Sequence, residues 1–293
     1  MKVLLRAPLL TNSGYGVHSR QIFAWLHSRK DVELTVECLR WGSTSWIIDG
    51  ERDNGLIKKI MDCSKPLESG SYDISFQVQL PDEWDENLAN KNIGVTAAVE
   101  TDKCNSAWLD SCNKMDTVVV PSKFTKNVIK RSGIVTTPIV VIPESFNNKI
   151  TNRSAVDKAL NSSNFKKIDT DWNLLIIAQL TSQSPETDRK NLINTLKWSC
   201  KALKDKKDSG IVIKTNFGKG TTNDKKMTTE YLKNVVGQIR EGEHPKIHLV
   251  HGNLRQDEIA ALYHHRKIKA FAFATRGEGY GLPLIESAAA GLP

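Results

Sequence analysis

The chain has 293 residues, with 41 lysines and arginines against 33 aspartates and glutamates, a net charge of +8, and 39% hydrophobic and 25% charged residues. That balance fits two ordinary soluble domains with real cores, and no run of 18 apolar residues offers a membrane-spanning helix. The five cysteines (Cys38, Cys63, Cys104, Cys112 and Cys200) are odd in number, widely spaced and without a CxxC pair, which argues against a disulfide framework or zinc site and for a reducing cytoplasm.

Residues 1–10 are apolar but interrupted by Arg6 and Pro8, and they lack a small-residue cleavage site. They read as a first buried strand, not a signal peptide. Short β-branched runs follow, separated by helical patterns. Strands are predicted at 3–6, 32–39, 74–78, 93–98, 117–120 and 139–142, then at 174–178, 211–215, 247–250 and 270–274. Continuous apolar strands alternating with helices imply parallel sheets covered on both faces. Residues 147–170 are rich in Asn, Ser and Lys and read as a linker carrying a short helix at 155–160. The predicted organisation is therefore α/β: two doubly wound Rossmann-like domains, at 1–146 and 171–293, with a cleft between them and ligands beyond the carboxyl ends of the strands. The second domain has only four predicted strands. The chain closes on a predicted helix at 282–290 with Gly291 as its stop, so that domain is expected to be incomplete, by about 60–100 residues.

The positive charge favours anionic partners: nucleotide phosphates, anionic lipid headgroups or nucleic acid. Much of the excess lies at 197–207 and 225–233, where lysines read as solvated helix faces. No aromatic interleaving accompanies them.

The segment with most chemical content is the last, Ala274-Thr-Arg-Gly-Glu-Gly-Tyr-Gly-Leu-Pro-Leu-Ile-Glu-Ser-Ala-Ala-Ala-Gly-Leu-Pro293. Gly277, Gly279 and Gly281 allow a tight loop and close approach of a ligand to the backbone. Pro283 suits the start of a helix, where its missing N–H is no loss. The free amides of this loop and helix start form an anion site. Glu278 and Glu286 bracket it. A carboxylate beside a phosphate repels it but can accept two hydrogen bonds from a vicinal diol. A phosphate flanked by two diol-binding carboxylates describes a sugar nucleotide.

The stretch from Glu278 to Pro293 resembles, at nearly every position, the EGFGLPxxEAMAxGxP signature of family-4 retaining glycosyltransferases of the GT-B fold. The resemblance implies that Glu278 lies by the donor sugar, that Glu286 binds the ribose, and that the amides of Gly279, Tyr280, Gly281 and Leu282 approach the sugar and diphosphate. Asp188-Arg189-Lys190-Asn191 resembles the family's "RKN" helix start, which implies a diphosphate contact for Lys190, with Arg189 second. The family's Gly-Arg at the preceding strand end is Ala178-Gln179 here, so one diphosphate arginine is missing. Gly252-Asn253-Leu254 resembles the loop that packs near the nucleotide base. Asn12-Ser-Gly14-Tyr-Gly16 resembles the glycine loop that closes over donor and acceptor. Val99-Glu100-Thr101-Asp102, with Trp108 and Val120-Pro-Ser-Lys-Phe124, resembles a subgroup pattern that puts Glu100 and Thr101 on the acceptor side. Many members carry a histidine there; this chain does not. Glu144 follows the last strand of the first domain and reads as an exposed turn.

Three other signals are set aside. Asp169-Thr-Asp171 has a metal-holding form but precedes a strand. Gly218-Lys-Gly-Thr221 lacks the upstream glycine of a phosphate loop. His244, His248, His251, His264 and His265 lack partners at metal spacing.

The combined expectation is a retaining transferase moving a hexose from a nucleoside-diphosphate sugar to an acceptor hydroxyl, with no cofactor and no metal. The acceptor is a glycan, lipid, protein or modified nucleic acid, and the site of action is the cytoplasm, with peripheral contact to anionic membrane. Three other readings remain open: a nucleotide-sugar-binding protein without transfer activity, a GT-B-type nucleotide-sugar epimerase, and a basic interaction module on nucleic acid or lipid.

Overall fold

A computed structural model describes residues 1–68, 70–98, 100–161 and 165–293. The chain divides into two compact units, Met1–Ser145 with Glu278–Tyr280, and Phe146–Gly277 with Gly281–Pro293.

The first unit runs β1 (Lys2–Ala7), α1 (Gly14–His27), β2 (Glu33–Cys38), α2 (Arg52–Cys63), β3 (Tyr72–Val78), β4 (Ala89–Val95), α3 (Ser106–Lys114), β5 (Thr117–Val120), α4 (Lys123–Ser132) and β6 (Ile139–Val141). Every pairing is parallel, in the order β2-β1-β3-β4-β5-β6. Val3, Leu4 and Leu5 are all fully buried, as a strand covered on both faces requires. One core gathers Val3, Leu5, Phe23, Val36, Ile57 and Ile60; the other gathers Trp84, Leu109, Val118, Val120, Val128 and Ile129.

The second unit runs α5 (Arg153–Leu160), β7 (Trp172–Ile177), α6 (Leu192–Leu203), β8 (Ser209–Thr215), α7 (Thr222–Ile239), β9 (Lys246–His251), α8 (Gln256–Tyr263), β10 (Ile268–Phe271) and α9 (Leu282–Ala289). Its sheet is parallel with order β10-β7-β8-β9. Alternate strand residues face opposite cores. Leu175, Val212 and Val250 pack with Val156, Phe165 and Tyr263, while Ile176, Ile211 and Ile213 pack with Leu192, Leu196 and Leu232.

Strand order reverses between β1 and β3 in the first sheet and between β7 and β10 in the second. These switch points open crevices at the carboxyl ends of the strands, where doubly wound sheets bind ligands.

Local departures from the sequence expectation have physical causes. Residues 147–170 are not merely connecting chain: Ile150, Val156, Phe165 and Ile168 are buried in the second unit's core. Residues 162–164 of this stretch lie outside the described residues. β4 starts at Ala89 because Asn92, polar yet 3% exposed, is satisfied inside by Ser75, Glu86 and Ala89. It ends at Val95 because the amides of Ala97 and Ala98 turn to the Tyr15 hydroxyl instead of a strand. The helix predicted from 155 starts at Arg153, and the strand predicted to Ala274 stops at Phe271. Among the described residues no helix is long and apolar enough to cross a membrane.

Candidate functional site

In the second unit the crevice between β7 and β10 is built by two loops that hold each other. The Arg189 guanidinium donates to the Gly277 carbonyl at 2.9 Å. In return the Arg189 carbonyl accepts from the Arg276 amide at 3.0 Å and the Thr275 hydroxyl at 3.1 Å. Asn191, in a left-handed conformation (φ 52°), donates its side-chain amide to the Ala274 carbonyl. The chain thus runs past β10 already tied to the segment that starts α6.

The start of α6 has its own counter-charge. Asp188 is fully buried and accepts from the amides of Lys190 and Leu192 and from the Thr181 hydroxyl. A carboxylate on these amides satisfies the helix terminus and offsets its dipole. The basic pair Arg189-Lys190 is therefore tolerated at this helix start by the fold itself.

α9 begins where the linked loop ends. Gly281 takes φ 82°, a conformation that favours glycine, and Pro283 is the second residue of the helix. Among the described residues the amides of Gly281 and Leu282 find no partner in the chain. Unpaired amides at a helix start are a ready anion site. Glu286 lies on the same helix, 7% exposed, and accepts from the Tyr263 hydroxyl at 3.2 Å. Burial pushes its carboxyl up to about 7, against the hydrogen bonds from Tyr263 and the Asn147 backbone. Burial and the Glu286 charge together raise the Tyr263 hydroxyl far above its ordinary value.

The carboxyl ends of β8 and β9 carry a buried network. Asp224 accepts from the amides of Phe217 and Lys219, from Thr228, and pairs with His251 at 2.7 Å. The amides of the glycine loop at 217–219 are thus taken up within the unit, that of Gly218 by the Asn216 side chain. Asn253 packs its side chain against Gly220, and Leu254 packs on the core. His248 meets Thr170, and His264 meets the Ile150 carbonyl. Asp169 and Asp171 pair with Lys246 and Lys267 near the start of β7, at the opposite end of the strands from the crevice.

The first unit has its own cluster at the ends of β1 and β4. Ser13 caps α1 by accepting from the Gly16 amide. Gly16 is required by crowding, since a Cβ there would run into the Thr11 carbonyl. Arg20, 6% exposed, clasps the same loop by donating to the carbonyls of Leu9 and Thr11; burial lowers its guanidinium to about 10. Tyr15 stacks on Trp41 and bonds Thr96, Ala97 and Ala98 through its hydroxyl, which burial pushes up to about 12. Ala98 holds φ 30°, a strained value for an L-residue. Beyond it Thr101 donates to the Lys103 carbonyl; Glu100 is half-buried, and Val99 lies outside the described residues.

Glu278–Tyr280 belongs to this unit too. The Gly279 carbonyl accepts from Thr125 at 3.3 Å and Ser122 at 3.4 Å. A Cβ at Gly279 would strike the Ala97 carbonyl and come within 2.9 Å of the Ala97 Cβ. The Tyr280 hydroxyl donates to the Glu144 carbonyl at 2.8 Å. Glu144 is no exposed turn: its side chain is 7% exposed and 3.8 Å from His18 Nδ1. Burial raises the Glu144 carboxyl to about 7 and lowers His18 to about 4.

The expected residues thus fall into separate groups. Arg189, Lys190, Gly281, Leu282 and Glu286, with Asn253 and Leu254, are in the second unit. Gly14, Gly16, Glu100, Thr101, Glu278, Gly279 and Tyr280 are in the first. Sequence reasoning missed Tyr15, His18, Asp188, Asp224, Tyr263 and Arg276. Asp188 and Asp224 were open to it, as acidic residues beside a helix start with mostly local partners; the others depend on partners distant in sequence.

No protein-family model matches this sequence, and no curated protein is significantly similar to it. Solved structures are similar in fold. HepE from Anabaena in complex with UDP-glucose has a TM-score of 0.64 at 12% identity, over 100% of this chain and 79% of its own. The E. coli structure described as trehalose-6-phosphate bound with UDP-2-fluoro glucose has a TM-score of 0.59 at 8% identity, over 99% and 82%. The α,α-trehalose-phosphate synthase (UDP-forming) from Burkholderia xenovorans in complex with glucose-6-phosphate has a TM-score of 0.60 at 8% identity, over 99% and 82%. At such identities the likeness establishes the fold, a pair of doubly wound Rossmann-like units of the GT-B class.

Proposed function

We propose that this chain is a glycosyltransferase that moves a hexose from a nucleoside-diphosphate sugar to an acceptor hydroxyl with retention of configuration. The observation that carries the reading is the second unit's crevice. There, unpaired helix-start amides stand on the same short helix as a buried carboxyl, and Arg189 anchors the loop leading in. Anion and diol sites about one helical turn apart fit a ribose and diphosphate. The similar structures that hold UDP-glucose and UDP-2-fluoro glucose support the same reading.

In this account Glu286 binds the ribose, Asn253 and Leu254 flank the base, and Glu278 lies by the donor sugar. Lys190, Arg189 and the amides of Gly279, Tyr280, Gly281 and Leu282 stabilise charge on the departing diphosphate. The acceptor oxygen attacks the anomeric carbon from the face the diphosphate leaves. The sugar–phosphate bond breaks, and the leaving phosphate oxygen takes the acceptor proton. No enzyme nucleophile is required. Gly14, Gly16, Glu100 and Thr101 belong to the acceptor side, whose substrate is a glycan, lipid, protein or modified nucleic acid.

The test is an assay of the full chain against a panel of nucleoside-diphosphate hexoses. The proposal expects release of the nucleoside diphosphate and a glycoside with the donor's anomeric configuration. Donor binding without transfer or hydrolysis means a binding protein; the neutral Gln179 favours that second reading. An epimerised sugar made without acceptor means an epimerase.

A further inference from the structure

Lys214 is the one lysine in the interior of the second sheet that no acid answers among the described residues. It is the penultimate residue of β8 and is mostly buried. Its register partners are Ile177 on β7 and Val250 on β9. Strand alternation puts its side chain on the face of Val212, Val250 and Leu175. No carboxylate forms an ion pair with it among the described residues. Burial alone pulls its ammonium below the ordinary lysine value. A mostly buried ammonium without a counter-charge is costly, which points to an anion arriving from outside.

Its position says which anion. Lys214 stands one residue from the carboxyl end of β8, where doubly wound sheets meet their ligands. Two residues beyond Ile177 on the same face is Gln179, exposed and neutral; two beyond Val250 is Gly252, which opens the loop of Asn253 and Leu254. Asp224 answers Lys219 only through the backbone of the neighbouring loop and leaves Lys214 unneutralised.

We infer that Lys214, at the carboxyl end of the second unit's sheet, binds the diphosphate of the donor. This rests on the nucleotide-sugar reading above. It makes Lys214 a donor-binding residue that no motif marks, because it sits inside an apolar strand.

The experiment is calorimetric titration of the full chain with UDP, GDP, ADP, CDP and dTDP, and then with the nucleoside of whichever binds. Lys214→Met keeps the length and removes the charge. The expected result is a loss of about ten- to hundredfold in affinity for the nucleoside diphosphate. Affinity for the bare nucleoside stays unchanged, Lys214→Arg retains diphosphate binding, and the ligand-free Lys214→Met protein unfolds at the same or a higher temperature. Lys214→Gln repeats the comparison if the methionine variant fails to fold. Equal diphosphate affinity in wild type and Lys214→Met overturns the assignment while leaving the nucleotide-sugar reading standing. Equal loss of nucleoside and diphosphate binding assigns Lys214 a structural role and overturns it too. A wild-type protein that binds none of the five overturns both.

Discussion

Glu286 is the residue on which the donor reading turns, and its burial makes the reading measurable. Its carboxyl titrates at about 7 in the fold against an ordinary 4.5. The folded chain therefore holds a proton that the unfolded chain releases. That contribution to stability is complete below about 4.5, is lost as pH rises to about 7, and stays lost above, amounting to about 3 kcal/mol. Glu144 has the same sign, and His18, lowered to about 4, has the opposite one. The whole-protein profile is thus mixed, and the informative quantity is a difference. Urea unfolding of wild type and Glu286→Gln should show wild type losing about 3 kcal/mol relative to the variant between pH 4.5 and 7; a constant difference contradicts the burial argument. Glu286→Ala should also weaken nucleoside diphosphate binding by about 1.5–3 kcal/mol through the lost diol contact, which titration calorimetry checks. Glu286 was legible in the sequence because its spacing from Glu278 is local. Its partner Tyr263 and its neutralising environment were not, because they arrive from another helix.

At the scale of elements, the loop from Thr275 and the start of α6 behave as one piece. Arg189 holds the Gly277 carbonyl, and Asp188 holds the amides beneath it. Asp188→Ala removes the cap and leaves Thr181 and two amides unsatisfied. It should cost about 2 kcal/mol or more, seen as a lower midpoint in thermal unfolding; an unchanged midpoint would refute the capping role. Lys190→Ala should instead show itself in lower turnover, followed as nucleoside diphosphate release. Gly279→Ala drives a methyl into Ala97 and should destabilise the protein by about 1–3 kcal/mol; wild-type stability in that variant would mean that the loop yields freely. The glycines announced a tight loop in the sequence, but not its partner. The residues Gly279 touches, Ala97, Ser122 and Thr125, lie more than 150 positions away, and no local pattern encodes such a contact. Boundary errors had the same origin: Asn92 looks like loop until its buried partners are known, and residues 96–98 look like strand until Tyr15 takes their amides.

For the whole molecule, the parallel α/β class followed from apolar strands alternating with helices, and the paired sheets have that form. The segment 147–170 misled by composition, because its few apolar residues, Ile150, Val156, Phe165 and Ile168, are the ones that pack. The similar structures share this fold at 8–12% identity, so chemistry must be tested on this chain itself. The most direct measurement incubates the full chain with a panel of nucleoside-diphosphate hexoses and a mixed glycan, lipid and protein acceptor extract, following nucleoside diphosphate release and product anomeric configuration. The account predicts release from one donor that depends on acceptor, with the donor configuration kept in the product and the signal reduced in Glu286→Ala. Inverted product, or no release from any donor that the chain binds, would contradict it.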